Sequence, residues 1–402
     1  MIFSSATLVT SVKPAALLFA FLFAVTLGFG YSHTLDAAPP SNGKNVSVWF
    51  GTTTPRGGLS KGIYHAKLNT DKGTLSTPTL AAEISSPGFL ALHPKHDVLY
   101  SVGIQSGKPA VTAFRIDDRG GDPKLSMLNS VEIGDGGAAH VSVDRTGKVL
   151  LTAQYGGGST ALFDLADDGS IKSRKQLVKH EGGSRVVANR QNKPHAHWTG
   201  TSPDNRFAFV PDLGLDKVVI YKLNADAVTI EPHGFGVCPP GGGPRHMKFS
   251  PDGKFVYVLN ELALSITTFA YDSAAGTMSA IDTVQTLTES VKEKETFNSA
   301  SEIRVHESGK FVYSANRGND SISAFKVDAA TGKLSIVETE PIRGGWPRNF
   351  NIDPTGKWIV VAGRDSHTAT VFEINQETGE LTFIRQTAMV PSPICVLFDL
   401  KN

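Results

Sequence analysis

A phrase of about fifty residues returns along most of this chain, and that period limits the fold more than any other feature. One copy reads Pro244-Arg245-His246-Met247-Lys248-Phe249-Ser250-Pro251-Asp252-Gly253-Lys254-Phe255-Val256-Tyr257. It returns as Ser301-Glu302-Ile303-Arg304-Val305-His306-Glu307-Ser308-Gly309-Lys310-Phe311, and again as Pro347-Arg348-Asn349-Phe350-Asn351-Ile352-Asp353-Pro354-Thr355-Gly356-Lys357-Trp358. Earlier copies lie at 89–103, 139–155 and 197–213. The residue opening each turn marks the phase. It falls at Pro94, Arg145, Pro203, Pro251, Glu307 and Pro354, at intervals of 51, 58, 48, 56 and 47 residues.

Each copy alternates apolar and polar residues, turns at Pro-Asp-Gly or Thr-Gly, and continues into a second strand rich in Val, Tyr and Phe. Pro presets φ for such a turn and Gly accepts positive φ. A third strand follows a polar loop, as at 265–271 and 321–327, and a fourth follows a Thr-Gly turn, as at 331–334 and 377–381. Four antiparallel strands per repeat of this length make a propeller blade, and helical solenoids are excluded by period and strand content. Six units are complete. The strand at 393–400 has nothing after it, and those at 46–51 and 62–69 lack an inner partner. The expected fold is therefore all-β: a seven-bladed β-propeller of four-stranded antiparallel blades, its ring closed by the C-terminal strand. Closure removes exposed sheet edges.

The expected propeller spans 45–402. Residues 1–38 differ: the stretch 14–31 is almost wholly apolar, with Lys13 before it and Ala37-Ala38-Pro39-Pro40 after it. That pattern is expected to be a secretory signal peptide, with an N-terminal membrane anchor as the alternative. Either places the propeller outside the cytoplasm, periplasmic or extracellular. Formal net charge is +1, which offers no bulk attraction to nucleic acid or anionic lipid. A monomer acting on a small molecule, without cofactor, is expected. Cys238 and Cys395 fall in non-adjacent blades, so two separate thiols are expected rather than a disulfide.

In a blade, the first strand starts on the face where the second strand ends. Six residues before the phase marker stand Gly88, Ala139, His197, Arg245, Ser301 and Arg348, and one later Phe89, His140, Trp198, His246, Glu302 and Asn349. The second strands end at Gln154-Tyr155, Asp212-Leu213, Asn260-Glu261, Asn316-Arg317 and Gly363-Arg364. These residues from different blades should gather at one mouth of the central channel. His197, His246 and Glu261 can move protons, while Arg245, Arg317 and Arg348 can hold an anionic oxygen through two donors. Such a set suits a small carboxylate or phosphate substrate whose ring opens or closes. The competing reading is structural, with strand-end charges bridging blades and Asn or Asp capping turns. His195-Ala196-His197 can place two imidazoles on one strand face, yet no nearby carboxylate or thiol completes a metal site, and none is expected.

Gly243-Pro244-Arg245-His246-Met247 through Asn260-Glu261-Leu262 resembles the signature blade of the seven-bladed propeller lactonase family. That family includes propeller-type 6-phosphogluconolactonases and carboxymuconate-lactonizing enzymes. His197, Asn316-Arg317, the Pro347–Asp353 phrase and Ala362-Gly363-Arg364-Asp365-Ser366-His367 extend the resemblance across most of 46–400. It implies a sugar-lactone hydrolase of carbohydrate metabolism. Glu261 or His197 would activate water, and Arg245 and Arg317 would hold the anionic group and the developing oxyanion. His246, Arg348 and His195 join them as expected substrate-binding residues. A cycloisomerase using the same groups, and a non-catalytic exported propeller binding a protein or glycan, stay open.

Overall fold

The computed structural model describes residues 45–119, 121–294 and 297–401. The expected leader, including the apolar run at 14–31, lies outside the described residues. Among the described residues no helix is long and apolar enough to cross a membrane.

Seven antiparallel sheets follow one another along the chain, each strand pairing with the next in sequence. Blade 5 is typical: Pro244–Phe249 lies innermost, then Phe255–Asn260, Ser265–Asp272 and Thr277–Gln285. Blade 1 is the exception that closes the ring. Its strand Asn45–Thr52 pairs outward with Gly62–Asn69 and inward with the C-terminal strand Pro393–Asp399, in the register Ser47 to Asp399 and Phe50 to Val396. The orphan ends of the sequence thus complete one another, as their missing partners predict. Arg119, beyond the third strand of blade 2, clasps the closing strand. Its guanidinium donates to Asp399 and to the carbonyl of Lys401, and pairs with Asp97 at 3.1 Å. The Lys401 ammonium donates in turn to the carbonyls of His93 and His96, at 3.0 and 2.9 Å.

The recurring turn has one geometry. Gly147, Gly253, Gly309 and Gly356 all sit at φ between 70° and 77°, where a Cβ is strained, and Asn205 takes the same place in blade 4 at 60°. The core lies between sheets rather than within one. Trp358 and Val360 of blade 7 pack on Val46, Val48 and Phe50 of blade 1, for example. Polar ties repeat across the seams: Tyr100 Oη donates to the Gly169 carbonyl at 2.6 Å, and Tyr313 Oη to that of Gly379 at 2.9 Å. Cys238 and Cys395 are both buried and unbonded.

Candidate active site at the channel mouth

Two local devices aim side chains at the mouth. The first is a β-bulge where the inner strand of a blade begins. In blade 5, Pro244 pairs with Asn260 and His246 with Leu259, leaving Arg245 as the extra residue. In blade 7, Pro347 pairs with Gly363 and Asn349 with Ala362, leaving Arg348. Ala139 in blade 3 and Ser301-Glu302 in blade 6 occupy the same irregularity. A bulge turns its extra residue out of the ladder, and here it turns two arginines toward the axis.

The second device is alternation at the end of the second strand. The first residue of each pair serves the turn. Asn260 Nδ2 donates to Ser265 Oγ and Thr267 Oγ1 at 3.0 and 2.9 Å, and Asn316 repeats this with Ser321 and Ser323. The next residue (Tyr155, Glu261 or Arg317) is left for the mouth. The structural and functional readings of these pairs therefore both hold, one residue apart.

Glu261 sits at the centre of a guanidinium cluster. Its Oε2 accepts from Arg245 Nε at 2.9 Å and pairs with Arg317 Nη2 at 3.2 Å, and its Oε1 accepts from Arg190 Nη2 at 2.7 Å. Burial opposes its ionisation, but Arg317 and Arg245, with His197 and Arg190, outweigh burial and hold the carboxyl far below the usual range. The arginines are fixed in turn. Arg245 Nη1 donates to the Ser301 carbonyl and meets His246 Nε2 at 3.1 Å, and Arg317 Nη2 donates to the Ala300 carbonyl at 2.8 Å. Burial and the neighbouring Arg317 lower Arg245 to about 9 and Arg348 to about 10.

Beside Arg245 lies a cavity of about 90 Å³ lined by Gly88, Phe89, Ala138, Ala139, His197, Arg245, His246, Arg348 and Ile394, with Glu261, Arg317 and Arg190 outside its lining. Most of the row selected by phase is here. His197 is buried, and its Nδ1 has no hydrogen-bond partner. Burial, then Arg245 and His246, keep its imidazole neutral well below pH 6.5. Arg348 makes no hydrogen bond or ion pair among the described residues, so its guanidinium faces the cavity unpaired.

Deeper in the channel His246 meets His197 edge-on at 5.2 Å and His140 at 5.6 Å, which brings blades 3, 4 and 5 together at the axis. His246 Nδ1 lies 3.0 Å from Glu302 Oε1, and Glu302 also takes Arg304 at 2.7 Å and Asn349. A carboxylate on Nδ1 fixes that nitrogen as the protonated one and leaves Nε2 as the acceptor facing Arg245. His195 stands back from the cavity. Its Nδ1 donates to the Tyr155 carbonyl at 2.8 Å, and its ring stacks on Tyr155 at 4.5 Å, which presents an edge to His197 at 5.4 Å. Among the described residues no three His, Cys, Asp or Glu gather as metal ligands.

Two members lay beyond the reach of blade phasing. Arg190 belongs to the segment between blades 3 and 4, where the repeat interval is longest, at 58 residues. Asp216, buried just beyond the second strand of blade 4, accepts from the backbone of Gly241 and Gly243 at 2.7 and 2.8 Å and so fixes the loop that delivers Arg245. The long interval was the one available hint that an element had been added there.

Comparison with known proteins agrees with this geometry. The family described as "Lactonase, 7-bladed beta-propeller" matches residues 47–398. A 6-phosphogluconolactonase from Bacillus subtilis is 38% identical over 352 residues, 87% of this chain and 97% of that one. Among solved structures, a protein from Lactobacillus plantarum superposes with a TM-score of 0.82 at 31% identity, over 88% of this chain and 99% of its own. The periplasmic gluconolactonase of Pseudomonas aeruginosa gives 0.80 at 28% identity, over 88% and 99%. The repeat, the closed ring and the match over nearly all the described residues together place this chain in the seven-bladed beta-propeller lactonase family.

Proposed function

We propose that this chain hydrolyses a sugar-type lactone at the channel mouth, with His197 as the base and Arg245 and Arg348 as the oxyanion and anion holders. The observation that carries this reading is the cavity lined by a neutral His197 together with Arg245 and an unpaired Arg348. The Bacillus relative's name supports hydrolysis of a phosphorylated lactone, and the Pseudomonas neighbour's supports a gluconolactone. Both favour hydrolysis over the cycloisomerase and binding readings.

In the proposed reaction a water attacks the ring carbonyl as His197 takes one of its protons. Guanidinium donors stabilise the negative charge on the carbonyl oxygen. When the tetrahedral intermediate collapses, the ring C–O bond breaks. The imidazolium returns the proton to the departing alkoxide, giving the open-chain hydroxy acid. Glu261 is the weaker candidate for base, because three guanidiniums hold its lone pairs and lower its proton affinity. Its better role is to hold Arg245 and Arg317 in place. Negative charge beside Arg348 offsets that residue's small share of the field on His197, while burial, the first cause, still keeps the imidazole neutral.

The apolar leader and the periplasmic neighbour together favour action outside the cytoplasm. The test is a panel of γ- and δ-lactones with acid release followed at constant pH, for the mature protein and for His197→Gln. Turnover of a sugar lactone that falls about 10²–10⁴-fold in the variant is expected. Full activity in the variant, or no turnover of any lactone by the parent, ends the reading.

A further inference from the structure

The geometry points to Arg190 as the residue that selects lactones bearing a terminal oxyanion, a proposal that rests on the lactonase reading. Arg245 and Arg317 are sealed within the cluster, their side chains 3% and 6% exposed. Arg190 closes the cluster from outside, with its side chain 32% exposed. Only its Nη2 is engaged, by Glu261 Oε1 at 2.7 Å and Tyr155 Oη at 3.4 Å. Its Nε and Nη1 make no hydrogen bond among the described residues. Nη2 therefore keeps Glu261, and Nε and Nη1 are each left to donate to a ligand. A planar guanidinium can bridge two oxyanions in this way, where an ammonium is a point charge.

Arg190 is held in position by its own neighbour. Gln191 is fully buried, and its side-chain amide donates to the Leu213 carbonyl at 2.9 Å and to Asp216 Oδ1 at 2.6 Å. Its Oε1 accepts from the Val187 amide at 3.0 Å. The same Asp216 fixes the Gly243 amide ahead of Arg245, so one carboxylate sets both arginines on Glu261.

Charge and distance give the ligand class. Three guanidiniums (Arg190, Arg245 and Arg317) contact Glu261 and Arg348 stands unpaired at the cavity, against the carboxylates of Glu261 and Glu302, while burial and their neighbours keep His197 and His246 neutral. Tyr155 spans the interval, with its ring edge on His197 and its hydroxyl at Arg190. The base and the free donors of Arg190 are thus one aromatic side chain apart. That separation suits a six-membered lactone whose anion lies at the far end of the molecule from its carbonyl. A phosphate or a carboxylate there has the required chemistry, and a neutral gluconolactone lacks it.

The test compares the parent protein, Arg190→Gln and Arg190→Lys on three δ-lactones: neutral, 6-phosphorylated and 6-carboxylated. Arg190→Gln is expected to raise KM for the charged lactones about 10- to 100-fold more than for the neutral one, the worth of one charge-assisted hydrogen bond. Arg190→Lys should restore part of the loss. An effect on the phosphorylated lactone alone names phosphate, and on the carboxylated lactone alone names carboxylate. An equal loss on all three lactones, falling on kcat, makes Arg190 a mere support for Glu261 and overturns the proposal, as does no loss at all. If the parent hydrolyses none of them, the lactonase reading falls separately. Calorimetric titration with 6-phosphogluconate, glucarate and gluconate then decides. A preference for 6-phosphogluconate or glucarate over gluconate in the parent that disappears in Arg190→Gln upholds oxyanion selection, and no preference in the parent overturns it.

Discussion

Replacing Glu261 by Gln separates two roles that sequence alone merges. As a general base, the carboxylate contributes to turnover, and the isosteric amide leaves the fold intact. The structure gives it a second burden, as the counter-ion shared by Arg245, Arg317 and Arg190. The first two are sealed from solvent, so removing the carboxylate strands buried positive charge. Breaking one partner of a buried pair costs about 3–5 kcal/mol, and the exposed Arg190 contact adds little to that. At roughly 2–4 °C per kcal/mol for large domains, Glu261→Gln should melt about 6–20 °C below the parent. Turnover should fall in the same variant as the arginines lose their alignment. Differential scanning calorimetry beside initial rates reads both effects. Glu261→Asp should melt between the two, because it keeps the charge with a shorter reach. A Glu261→Gln protein that melts like the parent, yet loses about 10²–10⁴ in kcat, would refute this reasoning and make Glu261 the base.

His197→Gln should show the converse, a loss in kcat of about 10²–10⁴ with little change in melting temperature, since the imidazole Nδ1 it removes has no partner. Arg119→Ala should unfasten the C-terminal strand. Losing both Asp399 and the Lys401 carbonyl should cost about 3 kcal/mol and raise proteolysis at the C-terminus, measured by denaturant melts and limited digestion. Stability should also fall in acid. Burial, then Lys67, lowers His65 to about 4, so between pH 6.5 and that value the unfolded chain takes a proton the folded one refuses. That difference amounts to about 3 kcal/mol lost as pH falls, and His65→Phe should flatten it in urea melts at pH 7 and pH 4.5.

The architecture was legible because each blade repeats its chemistry in the same order. Pro-Asp-Gly turns fixed the phase, and unpaired strands at both ends fixed the closure. The mouth followed from direction alone, since the first strand begins where the second ends, and His197, Arg245, Glu261 and Arg317 converge there. What stayed hidden depends on departures from the repeat. The bulges that release Arg245 and Arg348 leave no mark in an alternating pattern. Arg190 sits in an added segment with no blade phrase, and it reaches Glu261 across 71 residues of sequence. The balance of roles between Glu261 and His197 could not be read from spacing either. It depends on how many guanidiniums share one carboxylate, a fact of three dimensions.

That imbalance of charge carries a further consequence. Burial first and Arg317 next lower Arg348 to about 10, with Glu261 offsetting only part of this and no hydrogen bond or ion pair made by its guanidinium among the described residues. The unliganded protein therefore holds like charges together at a cost that a bound anion relieves. Removing Arg348 should act in opposite directions on stability and on binding. Arg348→Met keeps the side chain's packing and removes the repulsion, so the unliganded variant should melt higher than the parent, by about 1 kcal/mol of stability. Inorganic phosphate should raise the parent's melting temperature by filling the site, with about 2.7 kcal/mol gained at a hundred times its dissociation constant. The variant should gain much less. Thermal melts of both proteins across a phosphate series, at constant ionic strength, test the two effects together. An Arg348→Met protein that is less stable without phosphate, or equally stabilised by it, would show that Arg348 is a structural residue of the blade.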